Sequence, residues 1–202
     1  MITRLTDESD IERAVAGEKR RLREEKLPEA WADVGVVFED QYLRIVRDAV
    51  KFPSGRFGTY IKIERPNGVK NGVIGIPRMR DSYLLVKHWR YATQCFHLEF
   101  PRGFTDFGEE PSDAINREML EEISAEIVSV QLLGTIFNDT GLMNFPINVY
   151  SVEVSKYAIA GTEEGIDGIE VLTEAEIRDR IRFHQINDSL TLAAFSLAMA
   201  LS

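Results

Sequence analysis

Cysteine is almost absent from this chain of 202 residues, which contains only Cys95. A single thiol excludes a disulfide within the chain, and disulfides are typical of oxidising compartments. No stretch approaches the roughly 18 apolar residues that a membrane-spanning helix needs, and the first ten residues, MITRLTDESD, lack the apolar core of a secretory signal. We therefore expect a cytoplasmic protein without a membrane partner, in which Cys95 is a buried structural thiol.

Positive charge is also scarce, because 24 Lys and Arg stand against 33 Asp and Glu and leave a net charge of −9. Binding along a nucleic-acid backbone needs clustered basic residues, so this balance argues against a nucleic-acid partner. The three histidines, His88, His97 and His184, do not have the spacing of zinc ligands. A small phosphate-containing substrate stays compatible with the charge, since carboxylates can hold the divalent metals that bridge to phosphates.

The N-terminal third has two patterns. Residues 7–32 carry many charges of both signs and predict a solvated helix or arm, with Leu22, Leu27 and Trp31 as possible anchors. Residues 34–66 alternate apolar and polar side chains between turn signals, which predicts a small antiparallel sheet.

The remaining chain interleaves predicted strands and helices. The predicted strands cover residues 73–77, 83–89, 132–137 and 147–154. Helices are expected from about Thr173 and from Asp188. The economical architecture is α/β, with a mixed sheet sandwiched by helices. We expect residues 1–68 to form the helical arm and small β region, and residues 69–202 to form the main domain.

A motif-like segment follows Gly103 and reads GFTDFGEEPSDAINREMLEEISA. Its apolar residues recur at three- and four-residue steps and predict a helix over 111–127, with Ser112 or Asp113 as a cap. The stripe expected to face the core consists of Ala114, Ile115, Met119, Ile123 and Ile127.

The same helix carries a cluster of carboxylates. Glu118, Glu121 and Glu122 are three and four residues apart and so lie close together on the helix. Oxygen ligands at this density suit Mg²⁺ or Mn²⁺. Arg117 can hold one carboxylate in a fixed orientation, and Glu109 can fold back from the preceding loop. The alternative is an acidic solvated helix face stabilised by Glu–Arg pairs.

The spacing as a whole resembles the signature of the Nudix hydrolases. The matching residues are Gly103, Glu109, Arg117, Glu118, Met119, Glu121 and Glu122. The resemblance implies a Nudix α/β/α sandwich with a mixed sheet. Ser124 stands where the signature has its last glycine, and the small Ala125 replaces a bulkier apolar residue. Because serine tolerates a left-handed turn less well than glycine, we expect the helix either to run on toward Val130 or to bend differently.

The flanking segments resemble ADP-ribose pyrophosphatases and related nucleoside-diphosphate-sugar hydrolases. KHWR at 87–90 stands in place of a Gln-Tyr-Arg-like segment, and EFPRG at 99–103 in place of a Glu-x-Pro-Ala-Gly motif. The resemblance implies metal-dependent hydrolysis of ADP-ribose to AMP and ribose 5-phosphate. NADH, other nucleotide sugars and dinucleoside polyphosphates remain open, as does a nucleotide-binding regulator without turnover. The resemblance also implies a homodimer formed through the N-terminal sheet.

The resemblance further implies a set of metal ligands and a catalytic arginine. Glu118 and Glu122 are the main ligands of Mg²⁺ or Mn²⁺, and Glu121 joins them when substrate brings further ions. The backbone carbonyl of Arg102 is an additional ligand, which does not depend on the side chain at that position. Arg117 is the catalytic arginine implied beside these ligands.

Substrate contacts and a general base are implied elsewhere. Arg90 and Glu99 stand at substrate-binding positions, with a salt bridge and a structural hydrogen bond as the respective alternatives. The Arg102 side chain either contacts a phosphate or points to solvent. Glu164 is the implied general base, with Glu163 as the runner-up and an ordinary acidic surface loop as the alternative. The glycines expected to let this loop move are Gly161, Gly165 and Gly168.

Overall fold

The computed structural model describes residues 1–66 and 71–201, and the chain divides into two compact units. The first joins Met1–Asn67 to the short segment Asp139–Asn144, and the second contains Gly68–Asn138 and Phe145–Ser202. The predicted boundary between residues 68 and 69 lies outside the described residues and stays a prediction.

The first unit contains one long helix and a four-stranded antiparallel sheet. Its elements are β1 (Thr3–Arg4), α1 (Glu8–Glu24), β2 (Gly35–Glu39), β3 (Arg44–Lys51) and β4 (Phe57–Glu64). Strand β3 pairs with each of the other three strands. Helix α1 begins after Asp7, whose side chain accepts hydrogen bonds from the backbone N–H groups of Ser9 and Asp10. Of the three predicted anchors, Leu22 is buried, whereas Leu27 and Trp31 are exposed.

The second unit contains a seven-stranded mixed sheet and three α-helices. Its strands are β5 (Gly72–Met79), β6 (Ser82–Arg90), β7 (Cys95–Glu99), β8 (Arg102–Phe104), β9 (Glu126–Ile136), β10 (Ile147–Lys156) and β11 (Ile166–Thr173). Its helices are α2 (Pro111–Ile123), α3 (Glu174–Arg182) and α4 (Ser189–Ala200). The strand order is β11-β6-β5-β10-β9, with β7 paired to β6 and β8 to β5. Only β5 and β10 run parallel among these pairs.

The sheet of the second unit is covered by helices on both faces. Neighbouring residues of a strand point to opposite faces, and accordingly Val73 packs in one core with α2 while Ile74 packs in another with α3 and α4. Leu84 and Leu85 on β6 divide in the same way. The predicted α/β/α sandwich with a mixed sheet is therefore confirmed.

Helix α2 ends earlier than the sequence pattern predicts. Ser124 adopts the left-handed conformation, with φ of 43° and ψ of 44°, and its N–H donates to the carbonyl of Leu120 at 3.0 Å. Ile127 consequently lies in β9, so the helix does not run on toward Val130. The other four members of the predicted stripe are fully buried. Serine thus takes the conformation expected to favour glycine, because the chain must turn from α2 into β9.

Several smaller predictions need correction. Neither Ser112 nor Asp113 caps α2, because the helix begins directly after Glu110 and without a side-chain hydrogen bond at that position. Cys95 is exposed rather than buried. Gly168 lies within β11, which occupies the second half of the segment interpreted as a mobile loop. No helix in the described part of the chain is long and apolar enough to cross a membrane.

Candidate active site

Strand β8 can approach α2 closely because Gly103 has no side chain. A Cβ atom at position 103 would lie 2.5 Å from Oε2 of Glu118 and closer still to the other carboxylate atoms. The space beside Gly103 is therefore filled by the carboxylate of Glu118, a residue that is buried. The backbone of β8 and the acidic face of α2 meet at this point because residue 103 is glycine.

Arg117 connects the predicted carboxylates to one another. Its Nε and Nη2 donate to the two oxygens of Glu109 at 3.1 and 3.0 Å. Its Nη1 donates to Glu118 at 2.8 Å and to Glu121 at 2.9 Å. Its Nη2 also donates to the carbonyl of Phe104 at 2.8 Å. The structure thus brings three glutamates of the motif together around the guanidinium group of Arg117.

Glu122 stands apart from that network. Its side chain is 2% exposed, and Oε2 is buried without a hydrogen-bond partner among the described residues. Burial raises the pKa of Glu122 to about 8, and the nearby charge of Glu118 adds to this effect. Burial also raises the pKa of Glu118, although Arg117 acts in the opposite direction. Two buried carboxylates close together create a place that favours a cation.

A second cluster lies at the ends of β6 and β7. Nε of Arg90 donates to Oε2 of Glu99 at 3.0 Å, and Nη2 of Arg102 donates to the same oxygen at 3.0 Å. The Arg102 Nη2 also donates to Oδ1 of Asp188 at 3.2 Å. Burial alone would raise the pKa of Glu99, but the two arginines outweigh it and hold that pKa below its ordinary value. The Arg102 side chain is therefore paired through Nε and Nη2 with Glu99 and Asp188, and its predicted contact with a phosphate stays a prediction.

The segment that carries Glu163 and Glu164 lies against the part of α2 that contains Glu121 and Glu122. Both side chains are exposed, and both residues belong to a 3-10 turn, Thr162–Glu164. A Cβ at Gly161 would be 3.4 Å from the backbone of both Glu121 and Glu122. The charge of Glu164 also contributes to the raised pKa of Glu122. The structure therefore brings the predicted general base into the neighbourhood of the carboxylates.

Two hydrogen bonds from β6 to backbone carbonyls at the end of this turn hold the turn in place. Nε2 of His88 lies 3.0 Å from the carbonyl of Glu164 and must donate to it, and the N–H of Trp89 donates to the carbonyl of Gly165 at 2.9 Å. His88 is 5% exposed, and burial lowers its pKa. The spacing of the histidines indicates no zinc site at His88 and gives no sign of this contact. The sequence signal that could have indicated a role for His88 is its position directly before Trp89 and the predicted substrate contact Arg90.

The donor chemistry of the site fits a divalent metal, although the carboxylates are not gathered around one point. Among the described residues, no group of three Asp, Glu, His or Cys side chains is arranged to hold a metal ion. The reason is visible at Arg117, which already engages Glu118 and Glu121. The buried Oε2 of Glu122 nevertheless lacks a partner within the described chain, and it is the kind of oxygen that Mg²⁺ or Mn²⁺ would satisfy.

The chain is similar in sequence to several known proteins. The chain is 25% identical over 128 residues to the ADP-sugar pyrophosphatase of Mus musculus, covering 59% of each protein. It is 29% identical over 113 residues to the ADP-ribose pyrophosphatase of Saccharomyces cerevisiae, covering 52% of this chain and 49% of that protein. The matched regions thus span only about half to three-fifths of these two relatives. The methanol dehydrogenase activator of Bacillus methanolicus is 26% identical over 162 residues, covering 78% of this chain and 85% of that protein.

Two further comparisons concern the fold and the family. A solved structure of an ADP compounds hydrolase superposes with a TM-score of 0.71 at 20% identity, covering 84% of this chain and 91% of that one. This likeness establishes the fold. The model of the NUDIX domain matches residues 69–196, which is more than half of the chain and includes every residue of the two clusters described above. The chain belongs to the NUDIX domain family.

Proposed function

We propose that this protein is a metal-dependent hydrolase that cleaves the pyrophosphate bond of a nucleoside diphosphate linked to another group, with ADP-ribose as the preferred substrate and AMP and ribose 5-phosphate as products. The observation that carries the proposal is the placement of Glu118 against Gly103 and beside Glu122, with Arg117 holding the neighbouring carboxylates. The relatives named as ADP-ribose and ADP-sugar pyrophosphatases support the substrate class.

In this proposal each acidic residue has a distinct task. Glu118 and Glu122 would hold Mg²⁺ or Mn²⁺ together with the carbonyl of Arg102, and Glu121 would join them when substrate is bound. Bound there, such ions would supply charge neutralisation at the phosphates and activation of water. Arg117 keeps Glu118 and Glu121 oriented through Nη1.

The remaining proposed residues act on the water and the substrate. Glu164 accepts the proton of the attacking water from its turn beside α2, and Glu163 is the runner-up. Arg90 contacts a phosphate of the substrate from the end of β6, where Glu99 holds its guanidinium. Arg102 supports Glu99 from the other side, and its guanidinium remains a proposed contact of a substrate phosphate.

The test is a panel of ADP-ribose, NADH, ADP-glucose, GDP-mannose and diadenosine polyphosphates with Mg²⁺, Mn²⁺ or EDTA, followed by product analysis. We expect metal-dependent turnover with the highest kcat/KM for ADP-ribose. Glu122→Gln should abolish turnover and leave the protein folded, whereas Glu153→Gln, which alters an exposed carboxylate on β10, should have no effect. Full activity of Glu122→Gln would contradict the proposed metal site.

A second candidate function is regulation of another protein through a bound nucleotide. It is favoured by the relative named as a methanol dehydrogenase activator, which covers more of this chain than the two pyrophosphatases do. Nucleotide that raises the melting temperature without any turnover on the panel would favour this candidate over the hydrolase.

The proposal includes a homodimer in the cytoplasm. Its support within the first unit is β2, where Val36, Val37 and Phe38 are each about half exposed, at 48%, 48% and 49%. An edge strand with exposed apolar side chains is suited to pairing with the same strand of a second copy of this chain. Sedimentation analysis should give twice the mass of the 23.0 kDa chain, and Val37→Asp should reduce it to the monomer mass. A monomer at all concentrations would contradict this part of the proposal.

A further inference from the structure

The first turn of α4 holds the segment between β7 and β8 through two side chains. Oδ1 of Asp188 accepts a hydrogen bond from Nη2 of Arg102 at 3.2 Å, while its Oδ2 accepts one from the backbone N–H of Thr191 at 2.8 Å. The hydroxyl of Thr191, which is 1% exposed, accepts a hydrogen bond from the N–H of Phe100 at 3.1 Å. Helix α4 is thus tied to the chain on both sides of Pro101.

This segment supplies several groups of the proposed site. Glu99 is 1% exposed and is held by Arg90 on one side and Arg102 on the other. With Asp188, these residues form a chain of two carboxylates and two guanidinium groups whose charges cancel. Ion pairs that are largely buried and multiply hydrogen-bonded have a fixed geometry. The main chain at Arg102 is paired with Ile74 of β5 and is held in addition through its own side chain.

We propose that Asp188 is a positioning residue of this site. By fixing the Arg102 side chain, it fixes the backbone of β8 at Arg102 and Gly103, against which the Glu118 carboxylate lies. The inference rests on the proposed hydrolase function, in which the Arg102 carbonyl is a metal ligand. A displacement of about 1 Å at such a position can cost about 100-fold in rate, so Asp188, which lies outside the motif, would influence the rate through the position of β8.

The competing explanation is that Asp188 only caps α4. Asp188→Ser separates the two roles, because serine is an equally good N-cap but is too short to maintain the ion pair with Arg102. Asp188→Asn is the second variant, which keeps the size and a capping oxygen and removes the charge. Thr173→Ala is the matched control, since Thr173 caps α3 through a capping box and has no link to β8 among the contacts described.

We expect Asp188→Ser to lower kcat for ADP-ribose at least 10-fold with KM within about twofold, and to raise the Mg²⁺ concentration for half-maximal rate several-fold. Asp188→Asn should show the same changes, because its one amide oxygen caps α4 and its NH2 group then faces the Arg102 guanidinium, which can only donate. Thr173→Ala should lower the urea midpoint and leave kcat and the Mg²⁺ requirement unchanged. Wild-type kcat and Mg²⁺ requirement in both Asp188 variants would overturn the positioning role.

Two further measurements separate the positioning role from the proposed function. In a double-mutant cycle, Asp188→Ser should cause no additional loss of kcat once Arg102→Ala is present, and an equal loss in both backgrounds would overturn the route through Arg102. Titration with Mn²⁺ alone should show several-fold weaker binding to Asp188→Ser than to wild type. Should wild type fail to turn over any substrate of the panel, the hydrolase proposal falls, and unchanged Mn²⁺ affinity would then overturn the positioning role independently.

Discussion

Substitution of Gly103 by alanine tests the central contact of the site. The added Cβ would lie 2.5 Å from Oε2 of Glu118, whereas ordinary contacts of this kind begin at 3.4 Å. The carboxylate must therefore retreat by about 1 Å or more, and its hydrogen bond from Arg117, now 2.8 Å long, must lengthen or break. The backbone at residue 103 does not have a positive φ, so alanine can adopt it and the strand can persist.

The expected consequence is a loss of activity that exceeds the loss of stability. A misplacement of about 1 Å at a catalytic group costs about 100-fold, so Gly103→Ala should reduce kcat/KM for ADP-ribose by about two orders of magnitude. Metal-dependent hydrolysis and urea unfolding would be measured on the same preparation. Gly168→Ala is the control, because a Cβ at that position in β11 would meet no atom within 4 Å, and it should retain both properties.

The reasoning is refuted if Gly103→Ala keeps wild-type kcat/KM while folding normally. Such a result would mean that the Glu118 carboxylate does not need its place beside β8. Loss of activity together with complete unfolding would instead be resolved by Glu118→Gln, which keeps glycine at 103 and should give a folded protein with the same loss of rate.

Three further predictions concern the same helix and turn. In metal-free protein, Glu122 with a pKa of about 8 keeps a proton that the unfolded chain releases above 4.5, so the free energy of unfolding should fall by about 1.4 kcal/mol for each pH unit crossed between these values. Urea unfolding in EDTA at pH 5 and pH 8 checks this, and an equal fall in Glu122→Gln would refute it. Ser124→Gly should raise stability by about 0.5–1 kcal/mol because it relieves a left-handed serine, whereas Ser112→Gly, inside the helix, should lower it by a similar amount; thermal unfolding of both variants decides. Glu164→Gln should lower kcat by about 100-fold or more while Glu163→Gln should not, and the reverse ranking in steady-state kinetics would transfer the base to Glu163.

The helix and its buried stripe could be predicted because periodicity is local information. Ala114, Ile115, Met119 and Ile123 are all buried as their spacing indicates. The end of the helix could not be predicted in the same way, because Ser124 takes a left-handed conformation in which the surrounding chain overrides the preference of the residue.

Contacts between segments that are far apart in the chain could not be predicted from the sequence pattern. Arg102 and Asp188 are 86 residues apart, and nothing in either segment indicates that one guanidinium joins them. His88 was likewise indistinguishable from a core histidine until β11 was placed beside β6 and the Glu164 carbonyl came within 3.0 Å. Strand β11 itself was missed because its glycines and acidic residues have the composition of a loop.

The five hydrogen bonds from Arg117 to three glutamates and to Phe104 have a consequence for how the protein matures. In many small metal proteins the ion is needed for folding, because the free energy of binding the ion supplies the free energy of folding. Here the guanidinium supplies an internal counter-charge, so the acidic face of α2 does not have to wait for an ion during synthesis. Under the proposed function, the chain can fold first and bind Mg²⁺ or Mn²⁺ afterwards. Supply of the ion, rather than the folding history of each molecule, would then set how much of the population is active.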